Sequence, residues 1–261
     1  MRITIHKPED FISMKKSGNL AAQVLDFITD YVKPGVSTNT LNDLCHNFII
    51  SAGAIPAPLN YKGFPKSICT SVNHVVCHGI PNDKPLKDGD IINIDVTVIV
   101  DGWYGDTSRM YYVGNVGIKQ KRLIQVTYEA MMQAIEMIKP GVRLGDLGYA
   151  MQSHAERNNY STVRDYTGHG IGRVFHTEPT VLNYGKPGRG DILEEGMFFT
   201  VEPMVNIGRF ETILSKLDNW TVTSRDKSLS AQFEHTVGVT KDGVEIFTLS
   251  PKNYLYPPYG K

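Results

Sequence analysis

The sequence predicts an α+β fold with a central, mainly antiparallel sheet, and three observations support this prediction. Two pairs of helical segments are each separated by a Pro-Gly turn, strand-like segments lie between and after these pairs, and one short pattern occurs twice. Elements grouped in this way typically pack as helices against an antiparallel sheet. With 261 residues, the chain is long enough to bury a sizeable core.

The four predicted helices form two pairs. The first pair covers residues 8–32 and 38–50, and the second covers about 119–138 and 144–157. In each pair the first helix ends before a Pro-Gly turn, because proline cannot continue a helix and glycine readily adopts turn conformations. The first helix begins at Pro8, a residue that favours the first turn of a helix.

A repeated pattern indicates that the chain contains two related halves. Lys-Pro-Gly-Val occurs at residues 33–36 and again at 139–142, an offset of 106 residues. At an offset of 107, three further residues have counterparts, namely Leu86, Gly89 and Asp95 with Leu193, Gly196 and Glu202. Matches in one order at nearly one offset are typical of an internal duplication. We therefore expect a single domain over 1–261, with pseudo-two-fold half-repeats at about 8–113 and 118–248 and a site between them.

Composition and charge exclude several classes of protein. The 27 Lys and Arg residues balance 27 Asp and Glu residues, whereas a dedicated nucleic-acid binder needs a basic surface. The longest apolar run, Ile91–Val100, is interrupted by Asn93, Asp95 and Thr97, so we expect no membrane span. The first seven residues lack the apolar core of a signal peptide, and the three cysteines cannot all pair. A cytoplasmic, reduced protein is therefore expected.

The segment Ile91–Val100 predicts one strand of a hairpin that carries two carboxylates. Its even positions are all apolar, which is the alternation of a strand with two different faces. Asp101-Gly102 follows at once and is a strong signal for a two-residue hairpin turn. In that register Asp95 lies opposite Ser108, and Asp106 lies two residues further along the same face. The two carboxylates are then diagonal neighbours, with Cβ atoms within roughly 7–8 Å.

Two carboxylates at this separation repel each other unless a cation lies between them, and a pair of metal ions about 3.5–4 Å apart fits the space. The alternative is a solvated strand face with ordinary surface aspartates. Other ligand-type residues favour the metal site: Glu202 in a counterpart strand over 198–202, Glu234 in a predicted strand over 231–239, and His169 between glycines. Four oxygen donors and one imidazole suit Mn, Fe, Co or Zn.

Several motifs spread over essentially the whole chain carry a family resemblance. They are Pro65–Asn73, Val75–Pro81, Gly89–Val96, Gly168–Gly172, Phe175-His176, Glu178-Pro179, Glu202–Met204, Ser228–Gln232 and Phe233–Thr236. Together they resemble the type I methionine aminopeptidases of bacteria, metal-dependent enzymes of peptidase family M24 with the pita-bread fold. The resemblance implies that fold, with two pseudo-symmetric halves around the catalytic site of a single domain.

The resemblance implies that five residues bind two divalent metal ions: Asp95, Asp106, His169, Glu202 and Glu234. In this family pattern Asp106 and Glu234 bridge both ions. Asp95 completes the ligands of one ion, and His169 with Glu202 completes those of the other. The residue types do not select one metal, so Co, Mn, Fe and Zn all stay open.

The resemblance also implies catalytic and substrate-binding roles. His78 would contact the nitrogen side of the scissile bond, His176 would hydrogen-bond the carbonyl, and Glu202 would carry a proton to the leaving amine. The methionine side chain would be bound, beside those two histidines, by Tyr61, Phe64, Cys69, Phe175 and Trp220. A monovalent-cation site would be formed by Asn73, Val75 and Ser230.

The implied reaction is hydrolysis of the first peptide bond of a chain that begins with methionine and has a small second residue. The expected substrates are nascent polypeptides, so a transient contact with the ribosome is expected of the catalytic domain itself. Nothing in the sequence requires more than a monomer, and no membrane or nucleic-acid partner is expected.

Other interpretations stay open at this stage. A prolidase or an Xaa-Pro aminopeptidase usually carries a separate N-terminal domain, and only about thirty residues precede the first Lys-Pro-Gly. A type II methionine aminopeptidase would carry an inserted helical segment, for which 190–233 is too compact. A non-enzymatic peptide binder of the same fold would have lost metal ligands, and all five candidates are present. A metal-independent nucleophilic hydrolase is disfavoured, since no Gly-x-Ser-x-Gly motif occurs.

Overall fold

The structure, a computed structural model, describes residues 3–260. Its α-helices are α1 (Pro8–Ile28), α2 (Thr38–Ser51), α3 (Ile118–Glu136) and α4 (Leu144–Arg157). All four agree with the predicted helices to within a few residues. The largest difference is at the end of α1, where the chain tightens into a short 3₁₀ turn at Thr29–Tyr31 instead of continuing as α-helix towards the Pro-Gly turn.

The strands are short apart from one long hairpin. They are β1 (Ile55–Pro56), β2 (Cys69–Val72), β3 (Val75–Cys77), β4 (Ile91–Val100), β5 (Trp103–Tyr112), β6 (Ser161–Thr162), β7 (Gly168–Gly170), β8 (Thr177–Val181), β9 (Phe198–Val201), β10 (Met204–Asn206), β11 (Thr212–Leu214), β12 (Val222–Ser224), β13 (Ser230–Gln232), β14 (His235–Val239) and β15 (Val244–Ile246). All strand pairs among these elements are antiparallel, as predicted.

Each half of the chain contributes one main sheet. In the first half β4 pairs with β5 along one edge and with β1 and β2 along the other, and α1 and α2 cover this sheet. In the second half the order is β15-β14-β9-β7-β8, and α3 and α4 pack over its apolar side. Two three-stranded sheets, β13-β10-β6 and β11-β12-β3, lie beside them, and the second joins a strand of the first half to strands of the second.

The two Lys-Pro-Gly-Val segments make equivalent backbone hydrogen bonds in their two halves. Three backbone N–H donors of the first half bond to carbonyls as their counterparts in the second half do. The Gly35 N–H donates to Leu86 over 2.8 Å, and that of Gly141 donates to Leu193 over 2.9 Å. The other two matching pairs are Leu86 to Val36 and Leu193 to Val142, both 2.8 Å, and Gly89 to Val113 and Gly196 to Val239, both 2.9 Å. Gly35 and Gly141 also share a positive φ, of 90° and 92°, which glycine adopts without strain. The repeated sequence thus corresponds to a repeated backbone geometry.

The predicted hairpin is confirmed in both its turn and its register. Asp101 and Gly102 have φ values of 51° and 78°, the two positive values that a type I′ turn requires. Asp95 lies opposite Ser108, and Asp106 lies opposite Thr97. The alternative of a solvated strand face is wrong, because the second half of the chain covers this face and leaves Thr97 and Asp106 only 2% and 4% exposed.

The single strand predicted over 231–239 is instead two strands in different sheets. β13 ends at Gln232, β14 begins at His235, and the chain crosses between sheets at Glu234. The Glu234 backbone pairs with Ser108 of β5, with N–H to O distances of 3.1 Å and 3.4 Å. This crossing brings Glu234 against the carboxylate face of the hairpin. Similarly, the predicted strand over 198–202 included Glu202, whereas β9 ends at Val201 and Glu202 follows it.

The contact between α1 and β5 depends on a glycine in the hairpin. A Cβ at Gly105 would overlap the backbone of Ser17 and Gly18 in α1. We expect Gly105→Ala to lower the free energy of unfolding by about 1–3 kcal/mol, because neither backbone can move without disturbing the core. Urea unfolding followed by circular dichroism measures this change.

Gly243→Ala is the matched control, because the nearest atom to its Cβ is the Thr240 Oγ at 3.9 Å. The control is expected to change the free energy of unfolding by less than about 0.5 kcal/mol. Equal effects of the two substitutions would contradict the proposed close approach of α1 and β5.

Candidate metal centre

The residues predicted as metal ligands lie together between the two halves. They are Asp95 and Asp106 on the hairpin, His169 on β7, Glu202 after β9 and Glu234 between β13 and β14. All five line one cavity of about 370 Å³. Four separate segments of the chain therefore supply the carboxylates and the imidazole, and each segment enters the site at or next to a strand.

The distances within the cluster suit a metal site. His169 Nε2 lies 3.6 Å from Asp106 Oδ2 and 3.7 Å from Glu202 Oε1. Asp106, His169 and Glu234 each have a ligand atom within 4.8 Å of the other two. Two ligand atoms that each lie about 2.0–2.2 Å from one ion, at tetrahedral angles, are about 3.3–3.6 Å apart. One oxygen of Asp95 is buried and has no hydrogen-bond partner among the described residues, which a cation would satisfy.

The carboxylates strongly disfavour being charged together. Burial raises the pKa of Asp95 well above its usual range, and the neighbouring Asp106 and Glu202 raise it further. Burial likewise raises the pKa of Glu234, and it raises that of Glu202 to about 7. Bound divalent cations would compensate this concentration of negative charge, so the donor set fits divalent metal.

The tautomer of His169 also suits a ligand. Its Nδ1 lies 3.0 Å from the carbonyl oxygen of Gly170, which can only accept a hydrogen bond. In the neutral ring the proton is therefore on Nδ1, and Nε2 presents its lone pair towards the carboxylates. Burial alone lowers the pKa of His169, but Asp106 and Glu202 outweigh it, and the net pKa is raised.

Three polar residues that the sequence analysis missed hold the carboxylates in place. Thr97 Oγ1 donates to Asp106 Oδ1 over 2.7 Å, and Thr200 Oγ1 donates to Glu202 Oε1 over 2.7 Å. The other oxygen of Glu202 accepts from Gln232 Nε2 over 3.1 Å. Each of the three lies two residues from a predicted ligand in the sequence. Because residues two apart in a strand share one face, this spacing could have indicated that they lie beside the ligands.

The predicted substrate-binding residues line the same cavity as the carboxylates. They are Tyr61, Phe64, Cys69, His78, Phe175, His176 and Trp220. The Phe64 ring meets the Trp220 ring edge-on at 5.2 Å, and the Tyr61 ring lies 4.8 Å from that of Phe175. The cavity thus has an aromatic wall beside its carboxylate cluster. Cys77, Tyr166 and Met204 also line it, and the sequence analysis had not predicted them as site residues.

The two predicted catalytic histidines are held neutral near pH 7. Burial lowers the pKa of His78, and the neighbouring His169 lowers it further although Asp106 opposes the change. His176 keeps part of its surface open to solvent, but desolvation of the rest and the adjacent His169 lower its pKa. Nδ1 of His176 lies 3.0 Å from the hydroxyl oxygen of Tyr61.

The residues predicted to bind a monovalent cation lie together, outside this cavity. The Ser230 N–H donates to the Asn73 carbonyl over 2.9 Å, and Val75 pairs with the neighbouring strand β12. Ser230 Oγ is buried without a hydrogen-bond partner among the described residues. The Asn73 side chain is already engaged, since its Nδ2 donates to Asp90 over 2.8 Å.

Comparison with known proteins identifies the family. The chain matches metallopeptidase family M24 over residues 13–241. The chain belongs to metallopeptidase family M24. It is 76% identical to a methionine aminopeptidase of Rickettsia prowazekii over 99% of this chain and 100% of that protein. It is 53% identical to a methionine aminopeptidase of Escherichia coli over 95% of both chains.

Solved structures agree with this M24 assignment. A crystal structure of methionine aminopeptidase from Rickettsia prowazekii superimposes with a TM-score of 0.94, covering 95% of this chain and 100% of that chain. Within M24, the chain thus groups with the bacterial methionine aminopeptidases, and the α+β pita-bread prediction is confirmed. It is a metal-dependent hydrolase of this family. Among residues 3–260, no helix has the length and apolar character needed to cross a membrane.

The buried carboxylates predict how the stability of the metal-free M24 protein depends on pH. The pKa of Glu202 is about 7 in the folded protein, above its ordinary value of 4.5. Between these values the folded protein holds a proton that the unfolded chain releases, so stability falls as pH rises from about 5 to 8. Because glutamine does not titrate, we expect Glu202→Gln to reduce the fall in the free energy of unfolding between pH 5 and 8 by about 2 kcal/mol. Urea unfolding of metal-free protein at several pH values measures it.

Asp242→Asn, at an exposed carboxyl before β15, is the control and is expected to leave the pH dependence unchanged. A stability that rises between pH 5 and 8 in the metal-free protein would contradict the raised pKa of the cluster.

Proposed function

We propose that this protein is a methionyl aminopeptidase, which removes the N-terminal methionine from nascent proteins whose second residue is small. The observation that carries the proposal is that a cluster of four carboxylates and one imidazole, largely shielded from solvent, shares one cavity with an aromatic wall. The high identity to proteins named methionine aminopeptidase supports it. The cluster of carboxylates and imidazole supplies a hydrolytic centre, and the aromatic wall supplies an apolar subsite for an unbranched side chain.

We propose that Asp95, Asp106, His169, Glu202 and Glu234 would hold two divalent ions of Co, Mn, Fe or Zn, and that Asp106 and Glu234 would serve as ligands to both. When bound, the ions lower the pKa of a water molecule and polarise the scissile carbonyl. The buried unpartnered oxygen of Asp95 and the lone pair of His169 Nε2 support these assignments.

Glu202 is the proposed proton carrier between the water and the leaving amine. Thr200 and Gln232 each donate to one of its oxygens, so the carboxylate is fixed in one orientation. Glu202 lines the cavity, and a carboxylate held in one orientation can stay within reach of the proton to be moved, as general base catalysis requires.

His78 and His176 are the proposed donors to the reacting amide. His78 serves the nitrogen side and His176 the carbonyl oxygen. Both are neutral near pH 7 because desolvation lowers the pKa of each ring, so each can donate from one nitrogen. A donor aimed at a developing oxyanion contributes about 2.7–4 kcal/mol to the barrier reduction.

The proposed methionine subsite is the aromatic wall with Cys69. Phe64 and Trp220 meet edge-on, and Tyr61 packs on Phe175, which leaves aromatic faces and edges towards the cavity. A flexible, polarisable thioether side chain packs well against such rings. A branched or charged first residue would lose these contacts.

We further propose that residues 1–261 form one catalytic domain with half-repeats at about 8–113 and 118–248, acting as a monomer in the cytoplasm. The equivalent Pro-Gly hydrogen bonds support the repeat. All three cysteines are free and buried, in keeping with a reducing compartment. A transient ribosome contact is part of this proposal, because the substrate is a nascent chain.

The function is tested by methionine release from Met-Ala-Ser and Met-Lys-Ser, using metal-stripped protein with and without added Co or Mn. We expect release from Met-Ala-Ser alone, and only with metal, because the ions activate water and the small second residue fits. Release is quantified by chromatography of free methionine.

An Xaa-Pro dipeptide serves as the third substrate in the same assay. Its cleavage in place of Met-Ala-Ser would keep the metal centre and overturn the methionine specificity. No release with Co or Mn, nor with Fe or Zn added in their place, would overturn the enzymatic proposal and favour a peptide binder.

We also propose that Asn73, Val75 and Ser230 bind a monovalent cation. The buried Ser230 Oγ, which has no hydrogen-bond partner among the described residues, supports this site.

The cation site predicts an effect of salt on stability. Potassium chloride is expected to raise the midpoint of thermal unfolding above that in tetramethylammonium chloride of equal ionic strength. Binding at 100 times Kd stabilises by about 2.7 kcal/mol. Ser230→Ala is expected to abolish the difference in midpoint between the two salts. Ser51→Ala, at an exposed position in α2, is expected to retain it. Identical midpoints in both salts for the unchanged protein would refute the site.

A further inference from the structure

Tyr61 and His176 form a hydrogen bond that crosses between the two halves. The Tyr61 hydroxyl oxygen lies 3.0 Å from His176 Nδ1, and the two rings are stacked with centroids 5.4 Å apart. Tyr61 belongs to the first half and His176 to the second, so the bond joins residues 115 positions apart in the sequence. The Tyr61 ring alone would suffice to form a wall of the proposed methionine subsite, so this role does not explain the contact of the hydroxyl with His176.

The backbone around Tyr61 fixes the position of its hydroxyl. The Tyr61 N–H donates to the Pro58 carbonyl over 2.9 Å, and the Phe64 N–H donates to the Tyr61 carbonyl over 2.9 Å. The ring of Tyr61 also packs on that of Phe175, with centroids 4.8 Å apart. Few rotamers are compatible with this turn and this ring contact, so the hydroxyl is presented to His176 at a small cost in entropy.

The two nitrogens of the His176 ring have different surroundings. Nδ1 faces the Tyr61 hydroxyl, whereas Nε2 makes no hydrogen bond with any residue in the part of the chain that the structure describes. A neutral imidazole has one N–H donor and one acceptor nitrogen, so a hydroxyl that donates to one nitrogen leaves the ring proton on the other. A tyrosine hydroxyl can donate to Nδ1, and the proton of the ring is then on Nε2.

We propose that Tyr61 is a positioning residue whose hydroxyl donates to His176 Nδ1 and thereby keeps the ring proton on Nε2, the nitrogen that donates to the substrate carbonyl. This inference rests on the proposed function for the role of His176, but the tautomer itself is a property of the free protein. The proposal separates two roles of Tyr61: its ring forms part of the methionine subsite, and its hydroxyl sets the tautomer of a catalytic histidine.

An imidazole with its ordinary pKa of about 6.5 is mostly neutral at pH 8. In the neutral ring the Tyr61 hydroxyl can donate to Nδ1, whereas a positively charged ring would have to donate from Nδ1 to the Tyr61 oxygen.

The substitution that tests the proposal is Tyr61→Phe, which keeps the ring and removes only the hydroxyl. We expect kcat for Met-Ala-Ser to fall about two- to tenfold, the range that corresponds to one hydrogen bond partly open to solvent. The KM is expected to stay within about twofold, because the aromatic wall that binds methionine is unchanged.

The direct readout is ¹⁵N NMR of the histidine rings in metal-free protein at pH 8. The His176 resonances are identified by their loss in His176→Gln. We expect the unchanged protein to show a protonated Nε2 and an unprotonated Nδ1 at His176, and Tyr61→Phe to show a mixture of both tautomers. This measurement needs neither metal nor substrate.

Tyr104→Phe is the matched control. Tyr104 stacks on Phe175 with centroids 5.4 Å apart, so the substitution removes a hydroxyl from the same aromatic stack without touching His176. It is expected to leave both kcat and the His176 tautomer unchanged.

An unaltered His176 tautomer in Tyr61→Phe, or a proton on Nδ1 in the unchanged protein, would overturn the proposal. If the unchanged protein released no methionine while the NMR result was as expected, the positioning contact would stand and the proposed function would fail. The two failures are therefore distinguishable.

Discussion

The repulsion among four clustered carboxylates, two of them buried and two half-buried, is the constraint on which the rest of this structure depends. Asp106 and Glu234 are only 4% and 3% exposed, and burial raises the pKa of Asp95, Glu202 and Glu234. Such a cluster opposes folding unless cations and hydrogen bonds compensate its charge. The protein provides oriented donors from Thr97, Thr200 and Gln232, together with a donor set suited to divalent metal.

A cluster of this kind needs a scaffold that keeps its members together against their repulsion. The hairpin is held along the edge of β5 that does not pair with β4, by the backbone pairing of Ser108 with Glu234. Elsewhere on the same strand, Arg109 forms a buried ion pair with Asp26 of α1, and Ser250 of the C-terminal segment donates to the same carboxylate. Strand β5 is thereby attached to α1, to the second half and to the C-terminal segment, which limits the movement of Asp106.

The division into two halves explains where the chemistry is located. Each half supplies carboxylates to the centre, and each supplies aromatic side chains to the adjoining wall, so neither half contains the cavity alone. The contact between Tyr61 and His176 follows the same pattern, since one partner comes from each half. Relative movement of the halves would alter the proposed metal site, the proposed methionine subsite and the proposed tautomer of His176 together, which couples the proposed function to the packing between the halves.

The sequence by itself determined the helices, the hairpin register and the identity of the candidate ligands. Those features depend on short-range patterns: helical spacing, the alternation in Ile91–Val100 and the turn at Asp101-Gly102. Only the tertiary structure decided that the polar face of the hairpin is buried, that the chain changes sheet at Glu234, and that Thr200 and Gln232 hold Glu202. These outcomes depend on which distant segments pack together, and a local period of two cannot distinguish a strand face covered by water from one covered by the other half of the protein.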